Sequence, residues 1–174
     1  MTSQELADAI QNGLDQEWTE RPFGETHLKT KRFSKVSIDR LDPNYDQPRD
    51  QDAWYSAVLK REILDTQGVF EPILVEPIQD GDEDIDYGSC RLLIVDGHRR
   101  YENTRRILDD LKNHESADLE KWQEDYDRFA YLNVEIIEKP LTLVDRLVVM
   151  ALERISKDPG SSPGGGMCFP TFLY

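Results

Sequence analysis

Asp96, Gly97, His98, Arg99 and Arg100 follow one another directly after the apolar run Leu92-Leu93-Ile94-Val95. A strand that ends in Asp-Gly and passes at once into a helix presents unpaired N–H groups and the positive end of a helix dipole, a combination that favours anions. Gly97 lets a ligand approach the backbone closely, and the adjacent guanidinium groups of Arg99 and Arg100 offer fork-shaped, charge-assisted donors suited to phosphate oxygens. The competing assignment pairs these arginines with nearby acids such as Glu102 or Asp96.

Among groups that transfer protons, His98 titrates near neutrality when unperturbed and is a catalytic candidate together with Asp96; the alternative for His98 is a hydrogen-bonding positioner. His27 and His114 lack ligand-like neighbours and are expected at the surface. Cys90 and Cys168 lie far apart and form no C-x-x-C or Cys/His ligand pattern, so neither a zinc site nor a disulfide framework is indicated. The acids of Asp80 to Asp86 are clustered as a metal-dependent nuclease would need, but on a turn, where solvation is the better explanation. H-E-x-x-H, G-x-x-x-x-G-K-[ST] and G-x-S-x-G patterns do not occur.

The elements that must position these residues follow from periodicity. Pro72 to Glu76 reads as a buried strand partnered by Arg91 to Val95, with an acidic hairpin tip over 79–84. Tyr101, Thr104, Leu108 and Leu111 recur at helical spacing after Gly97. Lys35 to Asp39 alternates as a strand and leads into a Pro- and Asp-rich loop ending at Gln47-Pro48-Arg49. From Asp50 to about Thr66 the spacing of Trp54, Val58, Leu59 and Ile63 predicts one helix, capped by Asp50 or Asp52 and stopped by Gly68. A polar helix is expected over 116–128, a third core strand over Tyr131 to Ile137, and an apolar helix from a Thr142–Asp145 capping box to about Lys157.

A length of 174 residues suits one domain with decoration. The expected organisation is an N-terminal appendage over 1–30, with a short amphipathic segment around Leu6, Ile10 and Leu14; a domain over 31–158; and a flexible Gly/Pro-rich tail over 159–174. Apolar content of 38% and charged content of 32% predict a soluble chain with a modest core. No run is long enough to span a membrane and the N-terminus has no secretory pattern, so a cytoplasmic location is expected. A net charge of −14 argues against a surface that clings to nucleic acid throughout. The basic residues are nevertheless grouped, in 29–40 (Lys29, Lys31, Arg32, Lys35, Arg40) and in 97–108 (Arg99, Arg100, Arg105, Arg106).

Three segments, in order, resemble the ParB family. Gln47-Pro48-Arg49 is similar to its Q-P-R segment, Gly68 to Val75 to its G-x-x-x-P-I-x-V segment, and Gly97-His98-Arg99-Arg100 to its G-E-R-R box. The similarity covers roughly residues 33–158 and implies an α+β fold of the ParB/sulfiredoxin type, a small mixed β-sheet flanked by helices. It further implies a nucleoside triphosphate, CTP or ATP, held by Gln47, Arg49, Gly68, Gly97, His98, Arg99 and Arg100. Members of the family act as CTP-dependent clamps on DNA in chromosome and plasmid segregation.

A fourth segment, E-N-x-x-R, falls on Glu153-Arg154-Ile155-Ser156-Lys157, where Glu153 is kept, Arg154 replaces Asn and Lys157 replaces Arg. Glu153 is thereby the candidate ligand for magnesium and a further catalytic candidate; otherwise it is an i,i+4 partner of Lys157. No helix-turn-helix or dimerisation domain follows, so operator reading is not expected, DNA contact through this chain alone is expected to be weak, and homodimerisation is an open expectation. The sulfiredoxin branch attacks through a Cys in this loop, which is absent here. A branch that phosphorylates free serine accommodates the D-G-H-R form, with Asp39, Asp46 or Asp96 as candidate bases. Because members are also called ParB-like nucleases, DNA cleavage is carried as an alternative.

Overall fold

The computed structural model describes residues 2–47, 50–79, 81, 84–114 and 118–157. Arg49, Cys168, the tail 159–174 and part of the acidic connection 79–84 lie outside the described residues.

Helix α1 (Ser3–Asp15) starts at a capping box in which the Thr2 hydroxyl accepts from Glu5 N and the Glu5 carboxylate accepts from Thr2 N. Strands β1 (Thr19–Phe23) and β2 (Thr26–Ser37) then form an antiparallel hairpin. The boundary expected at residue 30 falls inside β2, which continues unbroken and pairs with a later core strand, so residues 19–30 belong to the sheet rather than to an appendage. Their pattern is hard to see because two polar residues take inward positions. Thr30 is buried with its hydroxyl donating to Glu135, and the buried Lys31 holds its Nζ over the Trp18 ring, 4.8 Å from the centroid, while Nζ donates to the Leu14 carbonyl at 3.2 Å. A bulge between Phe33 and Val36, with Lys35 at φ 55°, further breaks the alternation.

After a 3-10 turn at Ile38–Arg40 comes the two-residue strand β3 (Leu41–Asp42). The helix expected from Asp50 is split. Gln51–Ala53 forms one 3-10 turn, Ser56 is extended, and α2 (Ala57–Asp65) begins only there, capped by the Ser56 hydroxyl accepting from Leu59 N. The break is tertiary in origin, because Ser56 N donates to the side chain of Asn103 instead of entering a helix ladder. Val58 consequently faces solvent, while Ile63 is buried. The left-handed residue that ends α2 is Gln67 (φ 57°), with Gln67 N bonded to Leu64 O and Gly68 N to Ile63 O, a Schellman arrangement that places Gly68 one residue later than expected.

Strands β4 (Ile73–Pro77) and β5 (Leu92–Asp96), helix α3 (His98–Asn113), helix α4 (Leu119–Ala130), strand β6 (Tyr131–Ile137) and helix α5 (Leu143–Lys157) complete the chain. The sheet order is β1-β2-β6-β4-β5-β3; β6/β4 and β5/β3 are parallel and the other neighbours antiparallel. This is an α+β fold with a small mixed sheet flanked by helices. Every residue of β4 is buried because both sheet faces are covered. Ile73 and Val75 pack with Ile63 of α2, Tyr101 and Ile107 of α3 and Phe129 of α4, whereas Leu74 packs with Val149 and Met150 of α5. Each such aliphatic side chain contributes roughly 1.5–3 kcal/mol. Glu76 also ties α5 to the sheet, accepting from Arg146 and from Leu141 N. Among the described residues no helix is long and apolar enough to cross a membrane.

Candidate functional site

The turn from β5 into α3 is built on Gly97, which has φ 103° and serves as the N-cap of α3 without any side-chain cap. A Cβ there would lie 3.1 Å from both Cγ1 and Cγ2 of the fully buried Ile73, so both the dihedral and the close approach call for glycine. Above this turn is a cavity of about 280 Å³, lined among others by Gln47, Trp54, Asp96, Gly97, His98 and Arg99. Arg100, Glu71, Met150 and Arg154 also line it.

The two arginines of the motif have different surroundings. Arg100 is 13% exposed, with Nη1 donating to the carbonyls of Glu71 (2.9 Å) and Pro72 (3.0 Å) and Nη2 to the Asp96 carboxylate (3.0 Å). An ion pair to the Glu71 carboxylate adds to this, so the guanidinium of Arg100 pins the segment before β4 to the start of α3. The guanidinium of Arg99 has no hydrogen-bond or ion-pair partner among the described residues, and its Nε is buried.

Four buried side-chain nitrogens lack a partner among the described residues: Arg99 Nε, Trp54 Nε1, Gln47 Nε2 and Asn44 Nδ2. All are donors, and three of them belong to residues that line this one cavity. Trp54 is 4% exposed, so its indole N–H has no ready access to solvent. A buried donor left unmatched costs about 1–3 kcal/mol, and a ligand rich in acceptor atoms would recover that energy at several positions at once.

His98 is buried, and its Nε2 accepts from Asn44 N at 3.0 Å. A ring nitrogen that accepts a hydrogen bond is unprotonated, and burial lowers the pKa of His98 to about 4 against the pull of Asp96. His98 is therefore neutral at pH 7, and its geometry is that of a positioner. It holds the loop through Asn44 and packs against Trp54 with ring centroids 4.9 Å apart. Asn103, fully buried, does the same from the next turn of α3: its amide donates to Trp54 O (3.0 Å) and Arg99 O (2.7 Å) and accepts from Ser56 N (3.1 Å).

Of the residues singled out from sequence, Gln47, Asp96, Gly97, His98, Arg99 and Arg100 meet at this cavity. Gly68 is absent from its lining and occupies the turn after α2, with φ 154°. Glu153 lines a neighbouring cavity of about 290 Å³ with Arg21, Arg32 and Glu135, where Arg21 Nη2 contacts it at 2.5 Å and Arg21 Nη1 reaches Glu135 at 2.8 Å. Arg21 on β1 is thus a partner of Glu153 that its own helix does not supply; the side chain of Lys157 lies outside the described residues. Glu153, the candidate magnesium ligand, is 5% exposed and bonded to Arg21, and among the described residues no group of three His, Cys, Asp or Glu side chains is placed to hold a metal ion by itself.

Asp39 lines a separate pocket, Asp46 is absent from the cavity lining, and Cys90 is half-buried with its thiol pKa pushed up by burial. Trp54, Glu71, Met150, Arg154 and the support from Asn103 escaped sequence reasoning. Only Arg154 carried a signal, as a departure from the resembled pattern. Asn103 stands four residues after Arg99, and nothing local marks it as buried.

No family model matches the chain, and no curated protein matches it. Among solved structures, it is similar to the C-terminally truncated chromosome-partitioning protein ParB from Caulobacter crescentus, crystallised as a complex with CTP-gamma-S. The two are 20% identical with a TM-score of 0.44, over 73% of this chain and 53% of that one. The chain thus spans about half the length of that structure.

Proposed function

We propose that this protein is a ParB-like nucleotide-phosphate-binding module that takes the phosphates of CTP or ATP in the cavity at the start of α3, in the service of DNA partition. The observation that carries the reading is the convergence of unpartnered buried donors from Gln47, Trp54 and Arg99 around the Gly97 turn. Phosphate oxygens are acceptors in all directions, and the N-terminus of a 16-residue helix adds its dipole. The nucleotide, with CTP and ATP both open, and the DNA association are supported by the resemblance of the Gln47, Gly68 and Gly97 segments to ParB. Binding is favoured over turnover, because the nearest proton-transfer candidates are committed: Asp96 to Arg100, and His98, neutral, to Asn44. The nuclease and serine-kinase alternatives both need a base at this position.

Calorimetric titration of the full chain with CTP, ATP, GTP and UTP tests the reading, with sedimentation velocity in parallel to follow self-association. Saturable binding of at least one triphosphate, displaced by inorganic triphosphate, is expected. Absence of binding to all four would overturn the proposal. Nucleotide consumption only in the presence of free serine, or cleavage of DNA, would move the protein to one of the enzyme alternatives.

A further inference from the structure

Consecutive residues of α5 serve two different cavities. Glu153 lines the cavity that holds Arg21 and Glu135, while Arg154, rotated by about 100° around the helix, lines the cavity at Gly97. The guanidinium of Arg154, like that of Arg99, has no hydrogen-bond or ion-pair partner among the described residues. The charged lining at Gly97 is therefore three arginines, Arg99, Arg100 and Arg154, and two acids, Glu71 and Asp96, with His98 neutral beside them; both acids contact Arg100. This leaves one uncommitted guanidinium on α3 and one on α5, reaching the same space from two elements.

Resting on the phosphate reading above, we infer that this cavity takes its polyphosphate free of any divalent cation, with Arg99 of α3 and Arg154 of α5 supplying the positive charge. Magnesium is held in such sites by one or two carboxylates together with phosphate oxygens and water. Here the carboxylates at the cavity are joined to Arg100, and Glu153 belongs to the Arg21 network. A cation between the phosphates and this wall would instead face two guanidinium groups and be repelled by both. Guanidinium forks bind phosphate oxygens in pairs, so Arg154 can stand where a metal ion would otherwise neutralise the ligand. A consequence is that ligand binding draws α5 towards α3.

The test is calorimetric titration of the full chain with inorganic triphosphate, CTP and ATP, in EDTA and again in millimolar magnesium, at one ionic strength. Wild type should bind in EDTA at least as tightly as in magnesium. Arg154→Gln should weaken binding in EDTA by about tenfold or more, since one charge-assisted contact is lost, and its denaturation midpoint should be unchanged because Arg154 is exposed. Glu153→Gln should leave affinity in both buffers as it is. Binding that appears only with magnesium, or tightens tenfold with it, would overturn the inference while leaving the phosphate reading in place. Undiminished affinity in Arg154→Gln would do so as well. Failure of wild type to bind any of the three probes in either buffer would overturn both. The wild-type comparison decides the magnesium question whatever the folding of the variants.

Discussion

Replacing Arg99 and Arg100 separately by alanine should split two roles that adjacent positions in one motif conceal. Arg100 bonds the Glu71 and Pro72 carbonyls and the Asp96 carboxylate while only 13% exposed, so its loss strands two carbonyls and an acid at the edge of the core. Charged hydrogen bonds contribute roughly 1.5–3 kcal/mol each, and partial exposure of the acceptors lets water replace some of them, so Arg100→Ala should cost about 2–4 kcal/mol. For a chain of this size that corresponds to a fall in Tm of about 4–16 °C. Arg99 makes no such bonds, and its removal deletes a buried unmatched donor, so Arg99→Ala should fold as stably as wild type or slightly more so. If Arg99 holds phosphate, the same variant should lose one charge-assisted contact and bind triphosphate about 10- to 100-fold more weakly. Urea denaturation and calorimetric titration of both variants supply the four numbers needed. Equal affinity in wild type and folded Arg99→Ala would refute the assignment of Arg99, and an Arg100→Ala protein as stable as wild type would refute the bracing role of Arg100.

Three further outcomes are expected. Gly97→Ala must place a Cβ 3.1 Å from two carbons of Ile73 at φ 103°, so it should lose at least about 1–2 kcal/mol in urea denaturation; an unchanged midpoint would show that the turn relaxes freely. His98 takes up its proton near 6.5 in the unfolded chain and only near 4 in the folded one, so between those values the unfolded state holds more protons and stability falls as pH falls. Across that window the loss should approach about 3 kcal/mol, and it should shrink in His98→Gln; parallel pH profiles for the two proteins would contradict a buried neutral His98. Glu153→Gln should lower stability by up to about 3 kcal/mol, the lower end for breaking a buried pair because Arg21 is 34% exposed. An unaltered urea midpoint would mean that the Arg21 pair carries no weight in the fold.

Much of the architecture could be read without coordinates, for a local reason. The runs that became β4, β5, β6, α3 and α5 each show within their own segment either a short continuous apolar run or a helical period, so the elements appear within a residue or two of their expected ends. The Gly97 turn was legible because glycine, a strand end and a helix start are adjacent in the chain. β2 was legible only in its last residues, since Thr30 and Lys31 are inward-facing polar residues matched by Glu135, Leu14 and Trp18. The late start of α2 depends on Asn103, 47 residues away from the Ser56 N–H it receives.

Sequence by itself determined where an anion is most favourably received: the backbone turn at Gly97 and the concentration of arginine behind it. Tertiary structure decided which arginine is left to receive it. Arg100 is committed by Glu71, Pro72 and Asp96, the guanidinium of Arg99 is left with a buried donor and no partner among the described residues, Arg154 joins from α5, and Glu153 is drawn to Arg21, 132 residues earlier. The physical reason is that helix and strand periodicity is set by neighbours a few residues apart, whereas desolvation, charge pairing and donor satisfaction depend on which distant segments the sheet brings alongside.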